Sequence, residues 1–193
     1  LKVNNMEKSS LRIRADKVKG ARCTTLIAVL ENPKTIENIG STIRNVNALG
    51  VEKLYVVDGY KLLPDNWEEM RNRNSLTKIS ASAIKWTYVK VFPDTSKCLD
   101  YLEKNKYMSV VTSPHIKGKK NIWLDEGTFT QPKLAVWFGN ESRGISDVAI
   151  DRSYICVNIP MYGIIESLNL GTCTGIVLYE ITKQRRNFKK ICV

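Results

Sequence analysis

The sequence predicts an α/β fold on a mainly parallel sheet. Two observations carry this: short apolar, β-branched runs alternate with stretches of helical periodicity, and those runs are continuously apolar instead of alternating in polarity. A third bounds it. The 193 residues show no internal repeat, low-complexity tract or linker, which fits one well-buried domain better than two.

In chain order, residues 1–22 form a basic arm with Lys2, Lys8, Arg12, Arg14, Lys17, Lys19 and Arg22 against only Glu7 and Asp16. Its weak apolar periodicity predicts a short arm that is partly disordered or helical, and residues 23–193 form the domain proper. Residues 24–30 are a first strand. Ile36, Ile39, Ile43, Val46 and Leu49 recur at helical steps, with Asn32-Pro33 as the expected start and Gly50 as the stop. Residues 53–57 are a second strand ending at Asp58-Gly59, which reads as a turn. A polar region with Trp67 and Met70 follows, then a strand at 87–92, a helix at 94–105 and a buried strand at 107–112. The Lys-, Gly- and Pro-rich stretch 113–120 is a loop. Residues 133–138 and 155–159 are further strands, and a long helix runs from about residue 167 to 186.

Composition narrows the function classes. Thirty Lys and Arg against 19 Asp and Glu give a net charge of +11, a field that favours a polyanion such as RNA or DNA. The five cysteines, Cys23, Cys98, Cys156, Cys173 and Cys192, are scattered without a CxxC pair and read as reduced core thiols. His115 is the one histidine and no metal-binding spacing is present, so neither a zinc site nor a hydrolase triad is expected. No apolar run is long enough to span a membrane, and the polar start of the chain points to the cytoplasm.

Ligands of open α/β sheets bind beyond the carboxyl ends of the strands. No GxGxxG follows the first strand, which removes the main support for a dinucleotide site. Three other segments are richer. In residues 32–45, Gly40 interrupts a helix at a cost of about 1 kcal/mol, consistent with a close approach there. Arg44 lies one turn further on the same face, a fixed cation suited to phosphate or a ribose hydroxyl. In residues 138–146, two glycines shape a strand-to-helix turn that carries Glu141. In residues 159–171, Pro160, Gly163, Ser167 and Asn169 break an apolar run just before the last helix. Ser167 or Asn169 is a candidate cap for that helix. Each segment taken singly also suits an ordinary turn, surface arginine or cap.

Together and in this order, the segments resemble the three signature motifs of the SPOUT superfamily, in its SpoU/TrmH branch of RNA ribose methyltransferases. The first is similar to Asn38-x-Gly40-x-x-x-Arg44, the second to Phe138-Gly139-x-Glu141-x-x-Gly144, and the third to Ile159-Pro160-Met161 through Ser167-Leu168-Asn169. Ala83-Ile84-Lys85-Trp86 also resembles the tRNA-type members. The resemblance implies a Rossmann-like sheet whose C-terminal third is threaded into a deep trefoil knot, an exception to the usual connection rules. It implies a homodimer that uses S-adenosylmethionine without a metal, with tRNA as the favoured RNA and a D-loop guanosine as the acceptor. It assigns Thr112, Gly139, Ile159, Met161 and Leu168 to the cofactor. It makes Arg44 the catalytic residue, supported by Asn38, Glu141, Ser167 and Asn169.

One departure from the family pattern is Leu170-Gly171-Thr172-Cys173, where small residues such as Ser usually follow; Gly171 there is either a looser helix start or a packing adjustment. The basic arm and Lys183, Arg185, Arg186, Lys189 and Lys190 are candidates for phosphate contacts. Other readings are an rRNA ribose methyltransferase of the same family, a non-catalytic RNA-binding module on this fold, and a nicotinamide dehydrogenase, which lacks its glycine fingerprint.

Overall fold

The computed structural model describes residues 9–118 and 120–188; the remainder of the expected arm, Lys189 and Lys190 lie outside the described residues. Residues 10–18 form α1 (Ser10–Val18), capped by the Ser9 hydroxyl, and a 3₁₀ turn leads into β1 (Cys23–Glu31). The helix α2 (Ile36–Ala48) follows. Its cap is Thr35, whose hydroxyl accepts from Asn38 N, so the expected start at Asn32-Pro33 is corrected by three residues. Asn32 instead turns the chain out of β1 at a φ of 49°. Gly50, at a φ of 74°, ends the helix and admits β2 (Val51–Val57).

The polar region resolves into two short helices, α3 (Trp67–Asn72) and α4 (Asn74–Ile79), and a 3₁₀ turn at Ala83–Trp86. Then come β3 (Tyr88–Phe92), α5 (Thr95–Lys104), β4 (Met108–Thr112) and β5 (Asn121–Trp123). The last is a three-residue edge strand too short to give a sequence signal. β6 (Leu134–Phe138), α6 (Asp147–Asp151), β7 (Ile155–Asn158) and α7 (Leu170–Asn187) complete the chain. The final helix begins at Leu170, not near 167: Asn169 Oδ1 accepts from Gly171 N and Thr172 N, so Asn169 and not Ser167 is the cap.

The seven strands order as β3-β2-β1-β6-β4-β7-β5, and every pairing is parallel. Alternate residues of each strand face opposite layers. Leu26, Ala28 and Leu30 of β1 pack with Ile39 and Ile43 of α2 and Val177 and Ile181 of α7. Ile27 and Val29 pack with Leu99 and Leu102 of α5 and Ala149 of α6. Helices thus cover both faces, which is why the strands are apolar along their whole length.

Two glycines mark helix contacts. A Cβ on Gly40 would stand 2.6 Å from Ile79 Cγ2, so Gly40 admits α4 against α2. A Cβ on Gly171 would stand 3.1 Å from Ser41 Cβ, and Asn45 Nδ2 donates to Gly171 O at 2.6 Å. Gly171 therefore belongs to the α2–α7 packing. At the other end of α7, Arg185 is fully buried. It donates to the carbonyls of Phe129, Gln131 and Pro132 and to Thr25 Oγ1. This corrects its expected role: Arg185 fastens the core and is closed to phosphate, and Arg186 donates to Leu49 O. Among the described residues, no helix is long and apolar enough to cross a membrane.

Candidate active site

The chain passes from β1 outward to β3, then returns to place β4 on the far side, with β6 later inserted between. Beyond the carboxyl ends of β4, β6 and β7 lies a cavity of about 500 Å³. Such a reversal of strand order is where α/β sheets hold ligands, and the volume suits a small molecule. Its walls are the segment after β4, the turn after β6, the loop after β7 and the first turn of α7.

Polar side chains at strand ends hold the segment after β4 and the turn after β6. Glu31, at the end of β1 and 2% exposed, accepts from Thr95 Oγ1, Ser146 N and Ser146 Oγ at 2.5 to 2.8 Å. Asn140 closes the turn after β6: its Oδ1 accepts from Ser142 N and Arg143 N, and its Nδ2 donates to Asn32 O. Asn158, at the end of β7, donates to Ser113 O and His115 O at 2.9 Å each. Buried polar groups need such partners, and here each satisfied group fixes one loop.

The turn itself is closed by paired bonds, Asn140 N to Gly144 O at 2.9 Å and Gly144 N to Asn140 O at 2.8 Å. A Cβ on Gly139 would stand 2.3 Å from Gly144 C and Ile145 N, so only glycine fits there. Gly144 adopts a φ of 68°. Glu141 reaches across to α2, accepting from Lys34 N at 3.0 Å and from Asn38 Nδ2 at 2.5 Å, while Lys34 Nζ bonds Ser142 Oγ.

Eight of the ten sequence-predicted site residues line this cavity: Thr112, Gly139, Glu141, Ile159, Met161, Ser167, Leu168 and Asn169. Asn38 joins them through Glu141. Arg44 does not line the cavity. It is exposed on α2, with no hydrogen bond or ion pair among the described residues. The Thr112 hydroxyl donates to Trp137 O at 2.8 Å and is thereby engaged within the protein.

Glu31, Lys34, Asn140 and Asn158 escaped the sequence reading, as did His115 and Glu166, which line the cavity. A polar residue closing an apolar strand was the signal for Glu31 and Asn158. Cys173 also lines the cavity, and burial pushes its thiol up to about 11. Asp58 is a buried turn carboxylate that accepts from Leu62 N and Leu63 N, as its Asp-Gly context suggested. Among the described residues, no group of three or more His, Cys, Asp or Glu is placed to hold a metal.

Fold and cavity together define an open parallel α/β protein with its ligand cavity at the strand-order switch. The chain belongs to the SpoU rRNA Methylase family, whose profile matches residues 25–179. It is 30% identical over 181 residues to a tRNA (guanosine(18)-2′-O)-methyltransferase of Aquifex aeolicus, covering 93% of this chain and 78% of that one. Among solved structures it resembles the A. aeolicus TrmH/SpoU tRNA modifying enzyme, with a TM-score of 0.75 at 25% identity over 94% of this chain and 87% of the other. It also resembles the SpoU methyltransferase AviRb from Streptomyces viridochromogenes, solved in complex with AdoMet. That likeness has a TM-score of 0.69 at 26% identity and covers 86% of this chain and 62% of the other.

Proposed function

We propose that this chain is an S-adenosylmethionine-dependent RNA methyltransferase that modifies a ribose 2′-hydroxyl, with tRNA as substrate and a D-loop guanosine as acceptor. One observation carries the reading: two segments far apart in sequence, 139–144 and 159–169, line one cavity, and Glu141 of the first ties it to Asn38 of a third, 38–44. Family membership supports the reaction, and the tRNA methyltransferase relative supports tRNA as the RNA class.

The lining suits the cofactor. Phe138, Ile159, Met161, Leu168 and Leu170 offer apolar surface for a purine, and Gly139 lets the backbone come close. The Glu166 carboxylate, with no bond to another described residue, suits a positive group. Thr112, Gly139, Ile159, Met161 and Leu168 would hold the cofactor, chiefly through backbone groups. When bound, it supplies an activated methyl group on a sulfonium. The protein then has to align the acceptor oxygen and stabilise it as its proton leaves. The planar guanidinium of Arg44 suits an electrostatic role: it offsets negative charge growing on the 2′-oxygen. Asn38 and Glu141 set the position of α2 against the cofactor turn, Asn169 sets the start of α7, and Ser167 faces the reacting groups.

The C-terminal segment forms the trefoil knot of the family in this reading. The insertion of β6 between β1 and β4 and the return of α7 to α2 support it. The active form is a homodimer. Tyr162, Ile164 and Ile165 are exposed on the loop after β7, and Ile176 and Tyr179 on α7 flank an adjoining groove, an apolar surface that a second copy would cover. The arm of residues 1–22, with Arg12, Arg14 and Lys17 exposed on α1, contacts phosphates, and residues 23–193 form the catalytic domain.

The test is transfer of labelled methyl from S-adenosylmethionine into fractionated tRNA and rRNA, with mapping of the modified nucleotide and light scattering for the oligomer. Ribose-methylated guanosine in tRNA is the expected product. Label in rRNA alone would reassign the substrate, and no label in either RNA from protein that binds the cofactor would overturn the activity.

A further inference from the structure

Away from the cavity, on the flank of α2, aromatic rings and arginines alternate along one surface. Tyr88, half exposed at the start of β3, has its ring 6.2 Å from that of Trp67 at the start of α3. The Arg71 guanidinium lies 5.6 Å over the Trp67 ring and donates to Lys85 O. The next residue, Trp86, carries the Arg12 guanidinium of α1 at 5.9 Å. Arg12 also meets Asp16 at 3.8 Å, and Arg73 donates to Leu62 O. Glu68 and Glu69 stand on the first turn of α3, and among the described residues no ion pair joins either to Arg71 or Arg73.

We infer that this ladder of Tyr88, Trp67, Arg71, Trp86 and Arg12 is a second RNA-binding surface, on which unpaired nucleotides flanking the methylated one stack. The inference rests on the RNA methyltransferase reading and extends it to a surface outside the cavity. Aromatic faces interleaved with guanidinium planes are what splayed bases recognise, and stacking of this kind tolerates any sequence. The occupant is RNA because the chain carries a net charge of +11 and the cations of the ladder alternate with its rings. The core does not require Tyr88, which packs in neither hydrophobic cluster.

The ladder is also well placed. Asn47 of α2 donates to Thr87 Oγ1 at 3.2 Å, which fixes the residue between Trp86 and Tyr88. Asn47 lies three residues beyond Arg44, about one helical turn, or roughly 5 Å along the axis. An RNA whose ribose is presented to Arg44 therefore has the ladder beside α2, next to the contact that Asn47 makes with Thr87.

The test measures binding of an in vitro tRNA transcript by fluorescence anisotropy, alongside S-adenosylmethionine calorimetry and thermal melting. Tyr88→Ser weakens transcript binding about tenfold, while Tyr88→Phe, which keeps the ring, stays within about twofold of the parent. Arg71→Gln lowers the salt dependence of binding by about one counterion. Melting temperature and cofactor affinity stay unchanged in both Tyr88 variants. Transcript affinity in Tyr88→Ser equal to the parent's, or Tyr88→Phe as weak as Tyr88→Ser, overturns the ladder. Methyl transfer by the parent chain is followed separately. Transfer without any effect of Tyr88→Ser on binding sinks the ladder alone, and transcript binding lost in Tyr88→Ser with no transfer by the parent sinks the enzymatic reading alone.

Discussion

Replacing Gly139 with alanine tests whether the cavity turn is closed by backbone contact. The added Cβ would meet Gly144 C and Ile145 N at 2.3 Å and Gly144 O at 2.6 Å. All three are backbone atoms, so no rotamer change relieves the clash. An ordinary contact needs about 3.5 Å, and the facing backbone must therefore retreat by roughly 1 Å. A shift of that size breaks the paired bonds between Asn140 and Gly144, worth about 1 kcal/mol each. Overpacking strain adds roughly 1–3 kcal/mol, giving a total of about 4 kcal/mol. In a chain of this length that lowers the melting temperature by on the order of 10 °C. Displacement of the cavity wall also cuts the methyl-transfer rate by roughly a hundredfold. Gly144→Ala is the comparator. Its Cβ meets nothing within 4 Å, and its cost is only the left-handed φ of 68°, about 1–2 kcal/mol. Scanning fluorimetry and cofactor calorimetry on both variants decide the matter. If Gly139→Ala melts and binds cofactor like Gly144→Ala, the steric account of the turn is wrong.

Arg44→Ala leaves stability within about 0.5 kcal/mol, since the side chain is exposed and makes no bond, yet lowers transfer by roughly a hundredfold or more. Cofactor affinity falling in parallel with activity would refute this assignment. Arg185→Met leaves the carbonyls of Phe129, Gln131 and Pro132 without their donor and costs about 3 kcal/mol, read from the urea midpoint. An unchanged midpoint would show that the buried guanidinium is dispensable. Cys173 has its thiol raised to about 11 by burial, and only the thiolate reacts. Its alkylation by iodoacetamide, followed on the Cys173 peptide, should climb about tenfold per pH unit beyond pH 9 and slow when S-adenosylmethionine is added. A rate that levels off by about pH 10, where an ordinary thiol is mostly ionised, would contradict the burial.

Much of the fold was legible because it depends on local signals. The continuous apolar runs and the 3.6-residue spacing of Ile36, Ile39, Ile43 and Val46 have direct physical causes, and six of the seven strands fall where those patterns put them. β5 was invisible, since three residues carry no periodicity and its pairing with β7 is a tertiary choice. The start of α2 was misplaced because Asn32-Pro33 is a sound helix opening in isolation. Only the register of β1 against β2 turns Asn32 toward Gly59 N and leaves the cap to Thr35. Arg185 misled for a similar reason. A basic residue near a chain end reads as a surface cation, and nothing local says that three carbonyls from residues 129–132 will converge on it. At the candidate site, motif order grouped the residues, whereas their division of labour needed the hydrogen bonds.

That division separates groups that build the site from groups left to meet a ligand. Thr112 is engaged with Trp137 O, Asn169 with the first turn of α7, and Glu141 with Lys34 and Asn38; Asn140 and Asn158 hold loops. Each of these polar side chains already has a partner inside the protein, and a group so engaged serves best as a fixed strut. Arg44, Glu166 and Ser167 carry polar groups with no side-chain bond among the described residues; Glu166 and Ser167 line the cavity, and Arg44 is exposed on α2. A methyl transfer that asks for alignment more than for acid–base chemistry suits this arrangement, because the struts can be rigid while the contacting groups stay few. Substitution among the struts therefore moves stability and cofactor affinity together. Substitution among the unengaged groups separates affinity from turnover, and that separation distinguishes a residue that touches the reaction from one that holds its neighbours in place.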